Sequence, residues 1–172
     1  MLEQLKIEVC NANRALESSG LVKLTWGNVS GIDRSLGLWC IKPSGVDYAA
    51  LKPEDMVVLD LQGQVVEGAL RPSSDTKTHL HLYQAFQEIG GITHTHSPYA
   101  TVFAQAGREL PCFGTTHADH FHGSVPIVRA LTSGEVAADY EHFTGVAIVE
   151  RLLELGLSPT EMPAVLQLHH AP

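Results

Sequence analysis

Apolar side chains recur every three or four positions near the start of the chain, the spacing that gathers them on one face of an α-helix. They are Leu2, Leu5, Val9, Ala12 and Leu16. Gly20 follows the last of them, and a glycine just past the final apolar position commonly ends a helix. The pattern therefore predicts an amphipathic helix over residues 2–18.

Short strands are predicted next, beginning with residues 22–26, where apolar and polar residues alternate. The candidates are residues 22–26, which lead into a turn-prone segment at 27–31, residues 38–42, and two strands at 56–61 and 64–67. The pair Gln62-Gly63 separates the last two, and a glycine-containing pair of this kind favours a tight hairpin.

Helix signals return in the second half of the chain. A helix is predicted over 78–86, after the small and acidic residues of 71–76, and a strand ending in His94 and His96 follows it. Pro98 opens a short helix, Thr132 and Glu135 form a capping box, and a further helix is predicted over 146–155. A buried strand is predicted over 164–170. Because helices and hairpins are interspersed, we expect a single α/β sandwich domain, residues 1–172, on a largely antiparallel sheet. A strand at the end would leave a sheet edge uncovered, so we expect a C-terminal portion to be missing.

Composition narrows the class of protein. The 172 residues are 44% hydrophobic and 17% charged, with a net charge of −8, which suits a globular domain and offers no broad basic surface for nucleic acid or an anionic membrane. No secretion signal or spanning segment is evident. Three widely spaced cysteines form no C-x-x-C pair, so a reduced, cytoplasmic setting is the simplest prediction.

Histidines and one aspartate stand where a core would not choose them. His94 and His96 are two positions apart, which puts both imidazoles on the same face of a strand. Asp75 stands at a helix start and His169-His170 near the chain end, so three imidazoles and a carboxylate could form a site for zinc or a similar divalent metal. The alternative is that Asp75 only caps its helix and the later histidines are solvated.

Further polar residues suggest acid–base chemistry and anion binding. Asp119, in a polar cluster over residues 115–123, could act as a general base near a metal-bound substrate. Three short loops offer backbone N–H groups and hydroxyls of the kind that hold phosphate, and Lys42 could add a charge. The loops are Gly27-Asn28, Ser44-Gly45 and Ser73-Ser74.

Several of these stretches together resemble a known family. Residues 25–30, 41–46, 71–76, 91–97 and 114–119 resemble the L-ribulose-5-phosphate 4-epimerases of the class II aldolase superfamily, in order along the whole chain. The resemblance implies a class II aldolase-like three-layer sandwich around the sheet. It also implies a homotetramer with sites near subunit interfaces and a pentulose phosphate as substrate, in arabinose or ascorbate catabolism.

The resemblance also assigns roles to residues. The metal ligands would be Asp75, His94, His96 and His170, holding Zn²⁺, with Mn²⁺ or another divalent metal as the alternative. The substrate and phosphate pocket would comprise Asn28, Lys42, Ser44, Gly45, Ser73 and Ser74. Asp119 would be a catalytic acid/base, and Thr115 and Glu141 would shape the site from a neighbouring subunit.

The activity implied is metal-dependent epimerisation at C4, from L-ribulose 5-phosphate to D-xylulose 5-phosphate, through retro-aldol cleavage and aldol re-addition. One alternative is a sugar-phosphate aldolase of the L-fuculose-phosphate type. Asp75 favours the epimerase, because the epimerases also resemble this chain in having aspartate there, whereas the aldolases look to carry a glutamate that acts as a base. A catalytically inert metal-binding fragment is the other alternative.

The chain departs from the family pattern in several places. Ala171 replaces a glycine, and His120 and His122 replace tyrosines. The family's C-terminal helices, which bear a partner acid/base tyrosine, have no counterpart in the sequence, and this makes the inert alternative relevant.

Overall fold

The computed structural model of the protein describes residues 2–172. Its helices are α1 (Glu3–Ser18), α2 (Thr76–Ala85), α3 (Pro98–Gln105), α4 (Thr115–Ala118) and α5 (Ser133–Leu155), with a 3₁₀ turn at Pro53–Asp55. Its strands are β1 (Asn28–Asp33), β2 (Leu38–Ile41), β3 (Val57–Asp60), β4 (Val65–Glu67) and β5 (Gly91–His94). No helix in this part of the chain is long and apolar enough to cross a membrane.

The five strands form one antiparallel sheet in the order β4-β3-β2-β1-β5. The predicted antiparallel sheet and the predicted hairpin, now β3 and β4, are therefore confirmed. Strand β5 is added beside β1 with Asn28 opposite His94. This register places the end of the histidine strand next to the start of β1.

Alternate side chains of the sheet face different helical layers. Cys40 packs with Val9 of α1 on one face, whereas Trp39 and Leu59 pack with Tyr83 of α2 on the other. Helix α5 packs in turn against α2. The period of two along each strand thus produces the three-layer sandwich that was expected.

The predicted strand at 22–26 is wrong, and so is the turn predicted at 27–31. Leu24 has a left-handed backbone and Gly27 follows with φ of +80°, so this segment turns and β1 begins only at Asn28. A side chain at Gly27 would lie 2.8 Å from the carbonyl oxygen of His94. The polar residues Asn28 and Ser30 are buried in β1 because each finds polar partners: the side chains of Ser73 and Asp75 bond Asn28, and those of His79 and Tyr83 bond Ser30.

The predicted C-terminal strand over 164–170 is also wrong. Only Leu166 makes a strand-like bridge, with Ile127, and the chain then turns back, with Gln167 N donating to the carbonyl of Ala171. His169 takes a left-handed conformation in this turn, so the apolar run does not become a strand.

Helix α5 is longer than the helix predicted over 146–155 and contains a break. The capping box between Thr132 and Glu135 is confirmed. At Asp139 the backbone is extended; the Asp139 carboxylate accepts from the backbone N–H of His142 and pairs with Lys77 of α2 at 2.6 Å. A carboxylate that accepts the third N–H beyond it acts as an N-cap, so a second helical segment starts at Tyr140.

Candidate metal centre

Three histidines from two distant parts of the chain converge beside the end of β5. The Nε2 atoms of His94 and His96 lie 3.1 Å apart, and that of His170 lies 3.3 Å from the first. One donor atom from each of the three lies within 4.8 Å of the others. His94 ends β5, and His96 lies two residues past the strand end, yet the two imidazoles still meet as the spacing predicted. His169 is exposed and outside the cluster.

The second ring nitrogen of His94 fixes its tautomer. Its Nδ1 lies 2.7 Å from the carbonyl oxygen of Pro172, and because a carbonyl can only accept, Nδ1 carries the hydrogen and Nε2 presents a lone pair to the cluster. Burial is the main cause that lowers the pKa of His94, His96 and His170, and the negative charge of Asp75 opposes it. Neutral imidazoles are the form that binds metal.

Asp75 stands at the N-terminus of α2 but does not cap it, since its side chain makes no bond to the first turn. Its carboxylate instead accepts from the side-chain amide of Asn28 at 2.5 Å. The alternative that Asp75 serves only as a cap is therefore wrong. Asp75 lies outside the group of three mutually close histidine donors, so its role as a fourth ligand stays a prediction.

A polar cavity of about 190 Å³ has Asp75 among its lining residues. It is lined by all six residues of the predicted substrate pocket, namely Asn28, Lys42, Ser44, Gly45, Ser73 and Ser74. The three loops that were predicted to hold phosphate thus come together around one cavity.

The positively charged group in this cavity is the ammonium of the buried residue Lys42. Lys42 is 1% exposed; its ammonium lies 4.7 Å from the ring centre of Tyr48 and 3.4 Å from the carbonyl oxygen of Pro43. Burial lowers the pKa of Lys42, and Asp47 opposes this shift. An ammonium with so few acceptors beside serine hydroxyls and loop amides is suited to receive an anion.

A second cavity, of about 330 Å³, lies on the histidine side of Asp75. Its polar end includes Tyr140, Glu141 and His170, and the remainder is mostly apolar. Thr115 and Asp119 are exposed and line neither cavity. In a single chain the structure therefore gathers every predicted site residue except these two.

The comparison of sequences decides the family. Residues 7–172 match the family described as Class II Aldolase and Adducin N-terminal domain. The chain belongs to the class II aldolase and adducin family.

Relatives within and around this family are similar over nearly the whole chain. The L-ribulose-5-phosphate 4-epimerase UlaF of Salmonella paratyphi C is 52% identical over 171 residues, covering 99% of this chain and 74% of that protein. A solved L-fuculose 1-phosphate aldolase is 32% identical with a TM-score of 0.79, covering 98% of this chain and 73% of that one. A structure from Klebsiella pneumoniae, YgbL, described as a putative aldolase/epimerase/decarboxylase, is 25% identical with a TM-score of 0.75, covering 100% and 78%.

Class II aldolases use a divalent metal, and this member of the family has donors that suit one. Three neutral imidazoles with a carboxylate nearby are a common ligand set for zinc. The Nδ1 atoms of two of these histidines also have partners, as the outer ring nitrogens of metal-binding histidines usually do. Nδ1 of His94 bonds the carbonyl of Pro172, and Nδ1 of His170 lies 3.1 Å from the hydroxyl of Tyr140.

Two residues near the site were not predicted from the sequence. Tyr140 borders the larger cavity, and its position next to Glu141 was the signal that could have found it. His79 is 1% exposed, lines the same cavity, and shares the hydroxyl of Ser30 with Tyr83, with both contacts at 2.7 Å. Its place one helical turn after Asp75 was the corresponding signal.

His79 is expected to make the metal-free protein sensitive to acid. Burial lowers the pKa of His79 from 6.5 to about 4. Above pH 6.5 the side chain is neutral in both states, but below it the unfolded chain takes up a proton that the folded chain refuses. Stability should therefore fall as the pH drops from about 6.5 towards 4, by up to roughly 1.4 kcal/mol per pH unit from this group.

Denaturant titrations at several pH values, with chelator present, measure this slope. The variant His79→Gln removes the titrating group, so its stability should depend less steeply on pH across the same range. An unchanged slope would show that the acid sensitivity arises elsewhere.

Proposed function

We propose that the chain is a metal-dependent L-ribulose-5-phosphate 4-epimerase, which interconverts L-ribulose 5-phosphate and D-xylulose 5-phosphate. The observation that carries the proposal is the 52% identity to epimerases named for this reaction over 99% of the chain. The adjoining histidine cluster and polar cavity support it, because a ketose phosphate needs a site for its oxygens and another for its phosphate. We also place the enzyme in the cytoplasm, in arabinose or ascorbate catabolism.

The chemistry of the substrate explains the need for both regions. The hydrogen on C4 is not adjacent to the C2 carbonyl and is not acidic, so inversion requires cleavage and re-formation of the C3–C4 bond. His94, His96 and His170, with Asp75, would hold Zn²⁺. When bound there, the ion supplies Lewis-acid stabilisation of negative charge on substrate oxygens.

The polar cavity would hold the phosphate and orient the sugar. Lys42 supplies a positive charge, and the hydroxyls of Ser44, Ser73 and Ser74 supply hydrogen bonds. Asn28 Nδ2 is engaged by Ser73 and Asp75, while its buried Oδ1 has no partner among residues 2–172. This oxygen is available to accept a bond from a substrate hydroxyl.

The acid–base residues imply more than one subunit. Asp119 is exposed and lines neither cavity of its own chain, and Thr115 shares this position. We propose that they serve the site of a neighbouring subunit in a homotetramer, with Asp119 moving the proton of the C4 hydroxyl. Glu141, which the resemblance assigned to the site of a neighbouring subunit, borders the larger cavity of its own chain, and we propose that it acts there.

A sugar-phosphate aldolase is the second candidate, favoured by the 0.79 TM-score to an L-fuculose 1-phosphate aldolase. The two enzymes would share the bond cleavage and differ in the fate of the fragments. An epimerase retains the aldehyde and re-adds it to the other face, whereas an aldolase releases it.

One assay separates these functions. The purified chain is incubated with L-ribulose 5-phosphate, and both D-xylulose 5-phosphate and free glycolaldehyde phosphate are measured over time, with and without chelator. Chelator-sensitive formation of the pentulose epimer supports the proposal. Release of the two-carbon phosphate without the epimer would indicate an aldolase, and no conversion by a metal-loaded, folded chain would contradict the epimerase proposal.

A further inference from the structure

The hydroxyl of Tyr140 reaches the rear nitrogen of one histidine in the cluster. It lies 3.1 Å from Nδ1 of His170, whose Nε2 faces His94 at 3.3 Å. We propose that Tyr140 is a positioning residue for the metal site, accepting the Nδ1–H of His170 so that Nε2 is left free to bind a divalent cation. This inference rests on the metal site of the proposed function.

The choice of tautomer follows from which atoms can bind an ion. An imidazole that ligates through Nε2 must carry its remaining hydrogen on Nδ1. At His94 that hydrogen has a carbonyl acceptor in Pro172. At His170 the oxygen within reach of Nδ1 is the hydroxyl of Tyr140, so its removal withdraws a bond that the ligating form needs.

The backbone around His170 does not hold the ring by itself. Gln105 donates to the carbonyl of His170 at 3.0 Å, and the N–H of His170 donates to the carbonyl of Gln167 at 3.0 Å. Both bonds fix the turn that carries the residue, but neither restricts rotation of the imidazole about its side-chain torsions. The contact with Tyr140 holds the Nδ1 side of the ring, opposite the Nε2 atom that faces His94.

The break in α5 is what brings Tyr140 to this position. The extended backbone at Asp139 restarts the helix at Tyr140, and the carboxylate of Asp139 is held by Lys77. Helix α2, which carries Lys77, begins next to Asp75. The same packing of α2 against α5 therefore sets both Asp75 and Tyr140 relative to the histidines.

The test is a titration of the metal-free chain with Co²⁺, followed by Zn²⁺ competition, comparing the parent with Tyr140→Phe. Loss of an outer partner of a metal-binding histidine typically weakens affinity by 10- to 100-fold, and we expect a loss in this range with a changed Co²⁺ absorption spectrum. The melting temperature of the metal-free protein should change little. The control is Tyr99→Phe, which removes the hydroxyl of a tyrosine that is 86% exposed on α3.

The outcomes distinguish this inference from the proposed function. If the parent binds Co²⁺, His170→Ala abolishes binding and Tyr140→Phe binds as tightly as the parent, the metal site stands and the positioning role is overturned. If the parent binds no metal, both fail. A loss in Tyr140→Phe equal to that in Tyr99→Phe would also overturn the role.

Discussion

Replacing His96 with alanine is expected to remove stoichiometric binding of a divalent metal and to lower the melting temperature of the metal-loaded protein. His96 supplies one of three imidazole donors that lie within 4.8 Å of one another, and the two imidazoles left with Asp75 would hold an ion far less tightly. A ligand at 1,000 times its Kd stabilises the folded state by about 4 kcal/mol. Elemental analysis of the dialysed protein and thermal melts with and without added Zn²⁺ measure both effects.

The control for His96→Ala is His169→Asn, which changes an exposed histidine next to a cluster member. Asparagine tolerates the left-handed backbone found at His169, so the turn should survive and metal content should match the parent. Chelator should lower the melting temperature of the parent to that of His96→Ala and leave His96→Ala unchanged. Full metal content in His96→Ala would remove this residue from the ligand set.

Much of the fold could be predicted because periodicity reports burial directly. The short apolar runs at residues 38–42 and 56–61 became β2 and β3, whose residues are mostly buried, and the three- and four-residue spacing of the first segment produced α1. Asn28 and Ser30 gave no such signal, since their burial depends on partners in α2 and at Asp75 that are distant in sequence. The apolar run at 164–170 misled for the opposite reason, because its burial comes from the core around Leu166 and not from strand pairing.

In the candidate site, too, some features follow from the local sequence pattern and others depend on contacts that are distant in sequence. The i, i+2 spacing predicted that His94 and His96 would meet, and they do, although His96 lies past the end of β5. That His170 rather than His169 joins them depends on the turn at the chain end. Tyr140 could not be placed without the break at Asp139, which a helical pattern does not record.

The other large expected effect concerns Lys42, whose replacement should weaken substrate binding but stabilise the substrate-free protein. Lys42→Met should raise the KM for a phosphorylated ketose by roughly two to three orders of magnitude, since removing one member of a buried charge pair costs about 2–5 kcal/mol. It should also raise the free energy of unfolding of the substrate-free protein by about 1 kcal/mol, because an isolated buried ammonium is costly. Methionine keeps the contact with Tyr48 through its sulfur.

Two measurements on the same variant test the role of Lys42, namely initial rates across substrate concentrations and denaturant unfolding without substrate. The exposed residue Lys52 provides the matched control, because Lys52→Met removes an equal charge outside the cavity and should alter neither quantity appreciably. Added inorganic phosphate should stabilise the parent and Lys52→Met but not Lys42→Met. A Lys42→Met variant that is less stable and equally protected by phosphate would show that the ammonium supports the fold through Tyr48 and does not bind the anion.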